Sequence, residues 1–184
     1  MLIHTDSIRP ADPLALAYRA QLADFVPPPA LSVPANTDSR DVYVLSFGAG
    51  QESTALLYLY LHDADFRARF APGRLVTVTA DTGNEHPATL LHLAFVRRLC
   101  KQRGVEFHTL DAGGDYHSGN WPTLTAAFRR YDSIGSVCYP RVCTQQLKIA
   151  PIYRWLEAWL GEQYGVATGR KRGLYQFVEE GGRL

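Results

Sequence analysis

Three cysteines in a chain of 184 residues are too few, and odd in number, for a disulfide framework. A reducing cytoplasm is their simplest setting. No run approaches the roughly 20 consecutive apolar residues that a membrane span needs, so no membrane partner is expected. The start, Met1-Leu2-Ile3-His4-Thr5-Asp6, lacks the basic residues and apolar core of a signal peptide. Net charge is only +1, which implies no overall attraction to nucleic acid or membrane and leaves open a local basic patch. Ligand spacing is missing too. His4, His62, His92, His108 and His117 form no HxxxH pair, no CxxC pair exists, and a metal or iron–sulfur site usually needs four ligands. No resident metal site is expected, and none of these histidines is given a role. Neither an internal repeat nor a low-complexity segment is present.

What the chain does have is ordinary globular composition, 46% hydrophobic and 20% charged, at a length that suits a single core. Residues 1–40 read as an N-terminal extension, with a short helix after Pro13 and a stop at Val26-Pro27-Pro28-Pro29-Ala30, because proline removes the amide donor. Asn36, Thr37, Asp38 and Ser39 read as loop. This extension carries no recognisable chemistry.

Residues 41–184 read as one α/β domain. Val42-Tyr43-Val44-Leu45 is a short, β-branched and aromatic run, which predicts a buried strand. From Thr54 to His62 the chain is apolar all round, predicting a helix covered on most sides. A second strand is expected at Leu75–Ala80. Pro87 opens a helix that Gly104 ends, with Leu91, Phe95 and Leu99 at helical spacing. Val105–Leu110 is the third strand. Strand and helix alternate, so the sheet should be parallel. Thr123–Tyr131 is a weaker helix, and Ile152, Leu156, Trp159 and Leu160 share a face of another after Pro151.

The segment Ser46-Phe47-Gly48-Ala49-Gly50-Gln51-Glu52-Ser53-Thr54 joins the first strand to its helix. Amides at a helix N-terminus have no intrahelical partner and sit at the positive end of the dipole. Gly48 and Gly50, with small Ala49 between them, let an anion approach the backbone closely. Ser53 and Thr54 can cap the helix or donate hydroxyls to phosphate. Glycine and serine also serve turn geometry alone, so both readings stand here. The Walker A lysine is missing, and no third glycine completes GxGxxG.

Ser46 to Leu57 resembles the PP-loop of ATP pyrophosphatases and phosphoadenosine phosphosulfate reductases. That pattern is a serine, a glycine pair, a variable residue, an aspartate and a serine. Glu52 stands at the aspartate and Ala49 at the first glycine of the pair. Ala80-Asp81-Thr82-Gly83-Asn84-Glu85-His86-Pro87 is similar to the family's second-strand motif. Cys143-Thr144-Gln145-Gln146-Leu147-Lys148-Ile149-Ala150-Pro151-Ile152 is similar to the cysteine-to-lysine segment of the reductase-like branch. Gly169-Arg170-Lys171-Arg172-Gly173 resembles the late glycine-arginine segment that closes over the phosphate or sulfate end of the ligand. The C-terminal cysteine motif of sulfate reduction is not found.

The resemblance implies a doubly wound parallel sheet of about five strands, adenine nucleotide alpha hydrolase-like, in order 3-2-1-4-5. It implies ATP or a related adenine nucleotide with Mg²⁺, lying across the carboxyl ends of strands one and two. Glu52, Asp81, Cys143 and Lys148 are then the catalytic candidates. Ser46, Phe47, Gly48, Ala49, Gly50, Gln51, Ser53, Thr54, Asp81, Thr82, Gly83, Arg170 and Arg172 are the binding candidates. The corresponding activity is an ATP pyrophosphatase, adenylating or reductase-like enzyme, a transferase or oxidoreductase acting at the α-phosphate. Its acceptor would be a nucleic acid or protein, and it would work alone, as a homo-oligomer or within a larger complex. A nucleotide-binding module without turnover, and a nucleic-acid-recognising scaffold, are the alternatives from other classes. Each candidate also has a bland counterpart: Asp81 as a helix-capping or turn aspartate, Lys148 and the arginines as solvated charge, Cys138 and Cys143 as small hydrophobes.

Overall fold

A computed structural model of the chain describes residues 13–26, 29–32, 40–132, 142–167 and 172–184. The loop expected at Asn36–Ser39, Pro27 and Pro28 of the proline stop, Cys138 and Arg170 all lie outside them. In chain order the elements are α1 (Pro13–Asp24), β1 (Val42–Ser46), α2 (Gln51–His62), α3 (Ala64–Phe70), β2 (Arg74–Ala80), α4 (Pro87–Arg103), β3 (Glu106–Leu110) and α5 (Leu124–Tyr131). They continue with a single turn α6 (Val142–Thr144), a π-helical stretch (Gln145–Ile149), α7 (Ala150–Tyr164) and α8 (Arg172–Glu179).

The three strands form one parallel sheet in the order β1-β2-β3, with Val44 opposite Val76 and Val76 opposite Glu106. The period-two alternation of the strands sends their side chains into two cores. Val42, Val76, Val78, Ala80 and Leu110 face α7 and α8 and pack against Ile152, Trp155, Leu156, Trp159 and Phe177. Tyr43, Leu45, Leu75 and Phe107 face the other way, onto Leu57, Tyr60 and Leu61 of α2 and Leu93, Val96 and Leu99 of α4. Helices therefore cover both faces, the α/β arrangement expected. None of the described helices is long and apolar enough to cross a membrane.

α4 begins at Pro87 in the first turn, capped by the His86 ring, whose Nδ1 accepts from the Ala88 amide at 3.1 Å. It ends at Gly104 in the left-handed conformation, φ 70°. The Cys100 thiol faces the core from this helix, and burial pushes it up to about 12. α2 departs from expectation. Leu57, Tyr60 and Leu61 are buried, but Leu56 is 43% and Leu59 39% exposed. Among the described residues β1 is an edge strand, with only the Arg183 bridge on its outer side.

The described part of the N-terminal extension lies against the domain. Phe25 of α1's following turn meets the rings of Tyr58 and Phe95, and the Leu31 amide donates to Leu61 O at 2.8 Å. At the chain's other end Arg183 runs parallel beside Asp41, accepting from the Val42 amide at 2.8 Å, while its guanidinium grips the Asp41 carboxylate.

Where β2 and β3 begin, Glu106 gathers a polar knot. Its carboxylate accepts from Arg74 Nη2 at 2.7 Å, His108 Nε2 at 2.7 Å and Trp159 Nε1 at 2.9 Å. The Arg74 guanidinium lies over the Trp159 ring, 4.6 Å from its centre. Burial raises the Glu106 pKa, but the hydrogen bonds from His108, Arg74 and Trp159 and the Arg74 charge outweigh it and hold the carboxyl at about 2.

Candidate functional site

A cavity of about 470 Å³ opens over the carboxyl ends of all three strands, the place where open α/β sheets take ligands. Its floor is Ser46, Phe47, Gly48 and Ala49 after β1, Asp81 after β2, and Thr109 and Asp111 at the end of β3. α4 supplies an apolar wall with Leu90 and Leu93, and Lys148 and Ile152 close the opposite side.

The loop after β1 leaves its donors free. The Phe47 amide is used, donating to Val78 O at 2.8 Å, and the Thr54 amide begins the helix ladder on Gly50 O at 3.1 Å. Between them, the six amides from Gly48 to Ser53 have no acceptor among the described residues. α2 has no side-chain cap either. The Ser53 and Thr54 hydroxyls bond back to Gly50 O at 3.3 and 2.8 Å, so neither is aimed at the cavity. Ala49 takes a left-handed backbone, φ 55°, a conformation that costs a residue with a Cβ about 1 kcal/mol. Such a turn aligns successive N–H groups around a concavity suited to an anion.

The strand after α3 ends in a second built loop. Asp81 Oδ1 accepts from the Gly83 amide at 2.7 Å, the turn role, while the residue also borders the cavity. Gly83 sits at φ 75°, and a Cβ there would lie 2.6 Å from Thr123 Cγ2, so only glycine fits. Asn84 Oδ1 accepts from the Thr125 amide at 3.0 Å, tying this loop to the start of α5. Thr82 donates to Glu85 Oε1 at 2.9 Å, and Lys148 Nζ lies 4.0 Å from that same oxygen.

Lys148 belongs to the π-helical stretch. Pro151 has no N–H to give Leu147, its ring crowds that carbonyl, and the turn before it widens, with the Ala150 amide reaching Gln145 O. The widened turn carries the lysine at the cavity's side.

Of the predicted residues, Ser46, Phe47, Gly48, Ala49, Asp81 and Lys148 meet at the cavity. Gly50, Gln51 and Ser53 contribute free amides next to it. Glu52, Thr54, Thr82, Gly83, Cys143 and Arg172 do not line it. Asp111 and Glu85 line it without having been singled out. The signal for Asp111 was present: Asp81 and Asp111 each directly follow a strand, and Ala80 pairs with Leu110 in register. Three carboxylates and one lysine thus share the cavity with the loop amides, giving it an anion-favouring and a cation-favouring side. No group of three metal-ligating side chains occurs among the described residues. Comparison with protein-family models, with curated proteins and with solved structures gives no match to this chain.

Proposed function

We propose that this chain is an adenine-nucleotide-binding enzyme of the PP-loop class, related to phosphoadenosine phosphosulfate reductases, that acts at the α-phosphate of ATP or a close relative. The observation that carries the reading is the row of six unpartnered amides at the start of α2, opening beside a nucleotide-sized cavity. These amides and Ser46 hold the phosphates, and Lys148 neutralises charge on them. The apolar wall of Leu90 and Leu93 receives the base. Mg²⁺ commonly binds through one or two carboxylates plus substrate phosphates, and Asp81 and Asp111 suit that mode; when bound it shares the phosphate charge. An acceptor oxygen attacking the α-phosphorus displaces pyrophosphate, and positioning by these groups is the main demand of such a step. Arg170 and Arg172 of the late loop and Cys143 are the remaining candidates for acceptor or phosphate contact. The Val42 amide donates away from β2, to Arg183 O, and this parallel bridge on the outer side of β1 supports a further strand there, as in the order 3-2-1-4-5. A cytoplasmic setting belongs to the same proposal.

A second reading keeps the nucleotide and drops turnover: a binding module or a subunit of a nucleic-acid-modifying complex. The left-handed Ala49, and Glu52, whose carboxylate lies beside Gly50 and does not line the cavity, favour it.

Calorimetry and thermal shift with ATP and Mg²⁺ test the binding reading, since a ligand of the native state raises apparent stability. A Cβ at Gly48 meets nothing within 4 Å, so Gly48→Val leaves the fold intact while obstructing the amides. The expected result is at least a tenfold loss of ATP affinity at unchanged melting temperature (about 1.4 kcal/mol). ATP bound equally well by this variant would end the proposal. Pyrophosphate release from labelled ATP then separates enzyme from module.

A further inference from the structure

The His92 ring of α4 touches both ends of the free-amide loop. It stacks on Phe47, with ring centres 6.1 Å apart and planes 29° apart. Its Nε2 lies 2.9 Å from Thr54 Oγ1. Phe47 and Thr54 are the two residues that bracket Gly48–Ser53. On its far side the ring meets α1, where Tyr18 OH lies 2.5 Å from Nδ1.

The proton pattern follows from counting donors. Thr54 has one hydroxyl hydrogen and directs it to Gly50 O at 2.8 Å. It therefore accepts from His92 Nε2–H, which leaves Nδ1 as the acceptor for Tyr18 OH. The result is one directed chain, Tyr18 to His92 to Thr54 to the Gly50 carbonyl. Burial depresses the His92 pKa and raises that of Tyr18, which agrees with a neutral ring and a protonated phenol.

We infer that His92 is the positioning residue of the loop, and that α1 belongs to the site as the element that orients His92. This rests on the nucleotide reading only for its functional consequence; the geometric claim stands apart from it. With Gly50 O held by the Thr54 hydroxyl and Phe47 held by the ring, the row of amides between them is fixed at both ends before any ligand arrives. Preorganisation of this kind strengthens binding by removing the cost of ordering the loop. A helix that ends at Asp24, well upstream of the loop, thereby sets the geometry of the anion cradle.

The variants are Tyr18→Phe, Thr54→Val and His92→Phe, the last keeping the stack on Phe47 while removing both hydrogen bonds. Nitrogen NMR of the wild-type protein is expected to show His92 neutral with its proton on Nε2. Tyr18→Phe should shift Nδ1, and Thr54→Val should shift Nε2. Amide exchange should quicken at Phe47 and Thr54 in His92→Phe while Val76 and Val78 in the central strand stay protected. ATP affinity should fall about fivefold in His92→Phe, the scale of the one hydrogen bond that ties the ring to the loop at Thr54, and His92→Gln, whose side-chain amide can still donate to Thr54, should recover part of it. A ring protonated on Nδ1, or exchange that quickens equally at the loop and in β2, would overturn the inference and reduce His92 to a core residue. If the wild-type protein binds no ATP, the function proposed above fails, while tautomer and exchange still decide the role of His92.

Discussion

The two ends of the sheet treat polar groups in opposite ways. Where the strands begin, the Glu106 carboxylate is filled by Arg74, His108 and Trp159. Where they finish, six consecutive amides have no acceptor among the described residues, and Asp111 and Lys148 border open space. Buried polar groups are expensive unless bonded, so a closed network marks an end that serves stability. Unfilled donors beside a cavity mark an end kept ready for something from outside.

That contrast can be broken experimentally. Glu106→Ala should produce the largest change in stability, about 2 kcal/mol, because Arg74 and Trp159 lose their acceptor together. Chemical denaturation would measure it, and ATP affinity should stay as in the wild type. A parallel loss of affinity would mean that the two ends are not independent. Acid titration sharpens the same point. The Glu106 carboxyl ionises at about 2 in the folded chain against an ordinary 4.5, so its contribution is complete above pH 4.5 and fades as pH falls from there toward 2. Glu106→Gln should flatten that part of the stability profile.

At the open end the expectations reverse. Lys148→Ala should weaken ATP about tenfold by calorimetry (about 1.4 kcal/mol) and leave the melting temperature within a degree or two, since its pairing with Glu85 at 4.0 Å is loose and partly exposed. The smallest effect is expected from Ala49→Gly. Relief of the left-handed backbone should stabilise the protein by less than 1 kcal/mol, roughly, because glycine's greater freedom in the unfolded chain offsets part of the gain. A destabilised Ala49→Gly protein would show that the methyl group has a packing role in the cradle.

How much of this could be read from the chain alone follows from the range of the forces involved. The strands and α4 are written locally: apolar, β-branched runs at 42–45 and 75–80, Pro87 at the first turn and Gly104 at the last. The loop after β1 was legible for the same reason, since glycine, strand and helix are neighbours in sequence. What pairs distant residues was not. Tyr18 and His92 are separated by 74 positions, and Arg74 of β2 meets Trp159 of α7, so no spacing rule reaches them. His92 shows the limit, because a histidine without ligand spacing gives no sign of the ring and hydroxyl it will meet. The apolar helix at 54–62 misled in another way. Its Leu56 and Leu59 are exposed because hydrophobicity records what can be buried, while the neighbours present decide what is.

The π-helical stretch before α7 has a consequence for how this chain could change. One residue more per turn advances the angular phase of a helix by about 100°, so everything upstream of Pro151 is rotated relative to the face that α7 packs against the sheet. Lys148 lies within the widened stretch and borders the cavity together with Ile152, one turn further on, while Trp155 keeps its place in the core. A single proline thus sets the angle between two parts of one continuous rod, each of which both packs and borders the cavity, through Leu147 and Lys148 before it and Trp155 and Ile152 after it. Sequence drift that restored a regular ladder there would shift the one part against the other.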